Sequence, residues 1–413
     1  MVDYVFKGII NLNVRMPFVL KDGIASFDVE LGSFLLFNEQ HITLEGITDS
    51  GKKIYLLVDH FYDCGFHQRT REDGEVCNIQ RIGAVIETCV VMDSGSIDDI
   101  DSIGFYSHEI PKITNIRVSG RLNDDNASWM NIKKTLGKYN KGNREYRVSI
   151  GFVEEKPFYN GQMLVINADG KMGISEIKEA YWQMKKTLAF LYQKRIVPLE
   201  DVYLRNGTNN IGKLFVEKFN HGKYIFSEVK CLSVFGWDSK FSSLLQAIAE
   251  NKIYLRHIPI FKDDETLVTP GRFLMGLADL EGILKSSPSD KHIEVEESVK
   301  RDIEKLDNDS NSGKKNERKS LKERIEKSIE ENREFIDNFF PLGILGNDTS
   351  NIAADLANVR NALAHGDLGI NLSIKNSYQM QLLMVYILYL QLVMIGFTKE
   401  EAGGMVPYIL FER

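Results

Sequence analysis

The strongest constraint on this chain is a change of hydrophobic period near Trp237. Ahead of it, the runs FDVELGSFLLF, HITLEGI, KIYLLVDHF, IGAVIETCVVM, YRVSIGFVEE and QMLVINA are rich in Val, Ile, Phe and Tyr. Gly, Asp, Asn and Ser punctuate them, which is the pattern of short strands joined by turns. One helix interrupts: EIKEAYWQMKKTLAFLYQKR sets Ile177, Tyr181, Met184, Leu188 and Leu191 on one stripe, with Ser175 as the expected N-cap. After Trp237 the period becomes helical in FSSLLQAIAENK, RFLMGLADLEGILKS, KSLKERIEKSIEENREFIDNFF, SNIAADLANVRNALAH and the run from Tyr378. The expectation is an α+β, two-domain protein, with a β-rich N-terminal domain over 1–236 and an all-α bundle over 237–413. Residues 286–320 are a polar, mixed-charge insertion whose NDSNSGKKN centre has no apolar anchor, expected as a mobile loop between bundle helices.

Composition narrows the classes. With 413 residues and 43% hydrophobic side chains, the chain can bury two or three separate cores. A formal net charge of −7 argues against nonspecific coating of nucleic acid while leaving room for a local basic groove. Cys64, Cys77, Cys89 and Cys231 are too few and too scattered for a disulfide framework. The opening MVDYVFKGII lacks the pattern of a secretory signal, so a reduced, cytoplasmic protein is expected. The run Tyr378 to Phe397 approaches bilayer-spanning length, but Gln379, Gln381 and Gln391 interrupt it. A helix apolar nearly all round reads as the centre of a bundle or a dimer interface, with no membrane.

Several motifs invite chemistry and fail on context. GITDSGKK imitates a phosphate loop, yet Lys53 stands where Ser or Thr should hold magnesium. DSG between two strand-like runs is a hairpin turn. His60, Cys64, His67 and Cys77 are zinc-type donors crowded into one segment, but their spacing matches no common module. His41, His108, His221, His257 and His292 show no companion pattern. Asp99 and Asp101 sit in a turn-like stretch and read as solvated. Neither G-x-S-x-G nor H-E-x-x-H occurs. No cofactor is expected.

The best constellation is Arg360-Asn361-Ala362-Leu363-Ala364-His365, followed by Gly366 and Asp367. It ends a helical run, and Gly366 suits the left-handed position beyond a helix terminus. On an unbroken helix Arg360 and His365 point ~140° apart. They meet one substrate if the helix ends between them, or if a second protomer supplies one of the pair. Arginine grips a phosphate bidentately, and histidine exchanges protons near neutrality. The plainer reading is an arginine salt bridge beside a capping histidine.

RNALAHG at a helix end resembles the R-x(4–6)-H motif of the HEPN superfamily, and the run RFLMGLADLEGIL resembles an early helix of the ApeA-like HEPN group. A β-rich half ahead of such a bundle is similar to the layout of ApeA-type anti-phage proteins. The resemblance spans residues 240–413, is architectural for 1–236, and is broken by the 286–320 insertion. It implies a HEPN-type helical bundle, often a homodimer, acting as a metal-independent endoribonuclease in abortive-infection defence. The 2′-OH of the RNA, with tRNA as first candidate, would be the nucleophile. His365 would act as general acid or base, Arg360 would stabilise the phosphorane, and Asn361 would orient the imidazole or the phosphate. The N-terminal domain would sense a phage-derived trigger. The alternative is a noncatalytic RNA-binding or protein-interaction module that dimerises through the bundle.

Overall fold

The structure is a computed structural model. It describes residues 5–11, 15–30, 41–70, 74–115, 135–153, 161–195, 199–216, 231–259, 268–286, 320–339, 348–366 and 374–410. Packing divides the chain into two units, Met1–Met184 with Pro198–Val229, and Lys185–Val197 with Lys230–Arg413. The first unit is β-rich, and the described elements of the second are helical, giving the α+β two-domain class.

In the first unit, β1 (Phe6–Asn11), β2 (Arg15–Lys21), β3 (Ile24–Glu30), β4 (Thr43–Thr48), β5 (Lys53–Thr70) and β6 (Val76–Met92) close on themselves. β1 pairs with β2 and β4, β2 with β3, β4 with β5, and β6 with both β5 and β3, all antiparallel. The result is a six-stranded barrel filled by Ile10, Phe18, Phe27, Leu44, Ile54, Leu56 and Ile82, among others. Alternation produces this filling: β4 buries every second residue, so one face of TLEGIT points inward. Gly8 is required where β1 meets β4, since a Cβ there would lie 2.1 Å from the Ile47 carbonyl oxygen. The GITDSGKK segment forms the β4–β5 turn, with Gly51 at φ +80 and its N–H donating to the Thr48 carbonyl.

β6 then leaves the barrel. Its residues 79–85 pair with β3, whereas Cys89–Met92 pair with β12 (Asn209–Phe215). From β12 the sheet continues through β11 (Asp201–Asn206), β7 (Ser102–Tyr106), β10 (Gln162–Ala168), β9 (Arg144–Phe152) and β8 (Thr135–Lys141). Asp99 and Asp101 have structural roles beside it. Asp99 caps a 3₁₀ turn by accepting the Ser96 N–H, and both Asp101 carboxylate oxygens accept from Gly207 N–H. A short helix α1 (Ile110–Thr114) precedes the longer α2 (Ile174–Tyr192). All five expected stripe residues of α2 are buried. The helix begins one residue before Ser175: the Glu176 carboxylate accepts the Gly173 N–H, so Gly173 takes the cap position assigned to Ser175.

The second unit contains α3 (Ser239–Ala249), α4 (Pro270–Ser286), α5 (Leu321–Glu331), α6 (Arg333–Phe339), α7 (Thr349–Ala364), α8 (Ile374–Met394) and α9 (Lys399–Leu410). The insertion lies outside the described residues except at its ends, where Ser286 closes α4 and Ser320 opens α5 with a capping box. Among the described residues α8 is the helix long and apolar enough to cross a membrane, and 61% of that window is buried inside the protein. Two of its buried tyrosines are partnered by the bundle. The Tyr386 hydroxyl lies 2.6 Å from Ser328 Oγ and accepts from Asn332 Nδ2 at 3.2 Å, and Tyr389 stacks on Phe335 at 3.8 Å.

His257 departs from the expectation of an ordinary residue. It is 2% exposed, with Nδ1 2.9 Å from Oδ2 of the fully buried Asp279 on α4. The same oxygen accepts the His257 backbone N–H at 2.8 Å, and Arg256 Nε donates to Oδ1 at 2.7 Å. Burial works to raise the Asp279 pKa, but hydrogen bonds and charge from His257, then Arg256, outweigh it and hold the carboxyl below its ordinary 3.8. A depressed carboxyl pKa contributes stability above the unfolded-state value and loses it as pH falls through the folded value. Asp279→Ala should therefore cost about 3–5 kcal/mol at neutral pH by stranding the groups around it. In denaturant titrations from pH 7 down to 2, the wild type should lose the proton-linked part of its stability below pH ~4. The variant should show a correspondingly flatter acid limb.

Candidate active site

The Arg360–His365 segment is positioned by the end of α7. Asp348 caps the helix start by accepting the Asn351 N–H, and buried Ile352, Ala353, Leu356, Ala357 and Leu363 fix the face that packs inward. That leaves Asn361 and His365 exposed and Arg360 half-buried. α7 does not end between the two candidates. It runs through Ala364, and His365 is the C-cap at φ −87, ψ 5, its N–H still donating to the Asn361 carbonyl at 3.0 Å. Gly366 follows at φ +86 and donates to the Leu363 carbonyl at 3.2 Å, which supplies the expected left-handed stop. The ~140° separation of Arg360 and His365 is thus retained within one chain.

Arg360 faces α4. Its Nη2 donates to Glu281 Oε2 at 3.1 Å, and Nη1 donates to Asn361 Oδ1 at 3.4 Å. Lys285 Nζ occupies the other Glu281 oxygen at 2.6 Å. Burial pushes the Glu281 pKa up, but the Lys285 hydrogen bond and the Arg360 charge overcome that and keep it below the ordinary glutamate range. The side chains of Glu281 and Arg360 are 18% and 34% exposed. An ion pair this accessible adds no more than about 1 kcal/mol to stability, so its main effect is to orient the guanidinium. The plain reading of an arginine salt bridge beside a capping histidine is present in the geometry. Two adjoining features go beyond it: His365 presents its ring to solvent, and Asn361 lies on the same helix turn.

Glu281 is the residue that sequence reasoning left without a role. Its signal was available, as the acid that closes the run RFLMGLADLE, but Arg360 lies 79 residues further along the chain. The zinc-type donors are not brought together. His60 and His67 lie along the extended β5, seven residues or roughly 23 Å apart at ~3.3 Å per residue. Cys64 is exposed, Cys77 donates to the Arg69 carbonyl, and His60 Nδ1 lies 2.9 Å from Asp59. Among the described residues no group of three or more His, Cys, Asp or Glu side chains is arranged to hold a metal ion.

No curated protein and no solved structure matches the chain. A known family does. Residues 280–401 match the family described as Apea-like HEPN, a range that takes in Glu281, Arg360, Asn361 and His365 together with α5 to α8. Within the helical unit, residues 280–401 are thus similar to the Apea-like HEPN family.

Proposed function

We propose that the protein is a metal-independent HEPN endoribonuclease of abortive-infection defence. At family level an Apea-like HEPN domain supports an anti-phage nuclease. The observation that carries the finer reading is Arg360, anchored by Glu281, five residues before a solvent-facing His365 at the end of one helix. In this reading the RNA 2′-oxygen attacks the adjacent phosphorus and the bond from phosphorus to the 5′-oxygen breaks. His365 takes the 2′-hydroxyl proton or delivers one to the departing 5′-oxygen. Arg360 stabilises charge on the phosphorane, and Asn361 orients the arginine or the phosphate. Single-stranded or loop RNA, with tRNA first, allows the in-line geometry. The β-rich unit would sense a phage-derived trigger, and the protein would act in the cytoplasm.

Because Arg360 turns toward α4 while His365 lies ~140° round the helix, a composite site across a homodimer suits the pair better than one chain alone. Exposed Met275, Ile374 and Tyr378, at 43%, 79% and 38% accessibility, give the helical unit apolar surface for a second copy. The alternative, a noncatalytic RNA-binding or interaction module, draws on the same Arg360–Glu281 pair, since an arginine in a salt bridge need not catalyse.

Incubation of the purified full chain with total RNA, followed by mapping of new ends, separates the two. Cleavage should leave 2′,3′-cyclic phosphate and 5′-hydroxyl ends and should persist in chelator. Ends bearing 5′-phosphate, or activity that chelator removes and magnesium restores, would move the chemistry to carboxylates and a metal. His365→Ala should cost ~10²–10⁴ in rate with an unchanged melting profile. A folded variant that cuts normally would take His365 out of the mechanism. Mixing Arg360→Ala chains with His365→Ala chains should restore part of the activity if the site is shared. No recovery, in dimers shown to have exchanged, would place both groups in one chain.

A further inference from the structure

α4 carries a second cation beside the arginine. Lys285 follows Glu281 by four residues, so the two side chains leave neighbouring turns of one helix face. Lys285 Nζ donates to Glu281 Oε1 at 2.6 Å, and Arg360 Nη2 donates to Oε2 at 3.1 Å. One carboxylate is thereby bracketed by two cations from two helices, which leaves one positive charge in excess. That excess is accessible: the Lys285 side chain is 57% exposed and Arg360 34%, against 18% for the acid between them. Glu281 uses both of its oxygens here, whereas an ammonium has three N–H donors and a guanidinium five. An anion arriving from solvent can therefore meet donors that the carboxylate does not use.

A Glu–Lys pair at this spacing is common on helices. This one differs because its acid is also the group that holds Arg360. The two cations are separated by one carboxylate and two hydrogen bonds, so each can face a phosphate of one flexible strand. We propose that Lys285 binds the phosphate next to the scissile one, with Glu281 as the spacer that keeps the two cations apart, so that Lys285 adds affinity for the RNA at the site. The inference rests on the ribonuclease reading and adds a substrate-binding residue to it.

The test uses the full chain carrying Lys285→Ala, Lys285→Arg or Lys285→Glu. Cleavage of a single-stranded RNA gives KM and kcat, and binding of its 2′-O-methyl, uncleavable counterpart is followed by fluorescence anisotropy over a range of salt. Removing one phosphate contact should raise KM and weaken binding several-fold, leave kcat unchanged, and shrink the log–log salt slope by about 0.7. The Arg variant should restore binding and the Glu variant should weaken it further. A fall in kcat with an unchanged salt slope would mean that Lys285 acts by steadying Glu281 and Arg360, and would overturn the phosphate contact. No change in any quantity would overturn it equally. If the wild type binds RNA and cuts none, the ribonuclease reading fails while the salt slope still judges Lys285. If the wild type cuts and the slope ignores Lys285, the reading stands and this assignment falls. A wild type that binds no RNA sinks both.

Discussion

The helical unit turns on a carboxylate removed from water. Asp279 is fully buried and remains the favoured anion because the side chain and backbone N–H of His257 and the Arg256 guanidinium all converge on it. A buried charge is tolerated only with such partners, so α4 is held in one register against the 256–257 loop. Glu281 lies two residues on, ~200° round the same helix, and reaches toward α7. The inward acid fixes where the outward acid stands, and the outward acid orients Arg360. Structural anchor and candidate chemistry are two sides of one short helical segment.

The β-rich unit depends on a different economy, in which one strand serves two structures. Along its length β6 exchanges β3 for β12 as its second neighbour, so the barrel and the open sheet share a backbone instead of packing through side chains. The long hairpin that makes this possible is bent by register shifts between Leu57 and Val58, between Val58 and His60, and between Asp63 and Phe66. Such bulges add twist and let a strand curve out of one surface into another. Closure also removes the exposed edges that an open sheet of β1 to β6 would present.

What the sequence made legible follows the range of the interactions involved. The α2 stripe, the α7 terminus with Gly366, and the turn at Gly51 depend on residues a few positions apart, and all stand as expected. Ser175 failed as a cap because Gly173 and Glu176 solve the same problem one turn edge earlier. β1, β7, β11 and β12 carry weaker alternation, and glycines within them look like turn punctuation, although Gly8 and Gly212 mark close approaches of strand backbones and Gly104 leaves room for the Met163 side chain. The β3–β6 pairing that closes the barrel joins segments far apart in the chain, and no local pattern announces it. The candidate site divides along the same line. Arg360, Asn361 and His365 form one short string, whereas Glu281, on the far side of the insertion, joins them through the packing of α4 on α7. His257 looked ordinary because a buried ion pair leaves no spacing to read.

α2 carries a practical consequence for anyone who would take the protein apart. Its residues through Met184 group with the β-rich unit, and Lys185–Val197 group with the helical one. Leu188, Phe190 and Leu191 are fully buried in that second stretch, and the Leu191 carbonyl accepts the Leu232 N–H. A gene fragment opened at the change of hydrophobic period would leave out this stretch and its hydrogen bond to Leu232. The change of hydrophobic period and the grouping of α2 by packing fall at different places in the chain. A fragment that keeps the packing of the helical unit whole would carry the end of α2 as well.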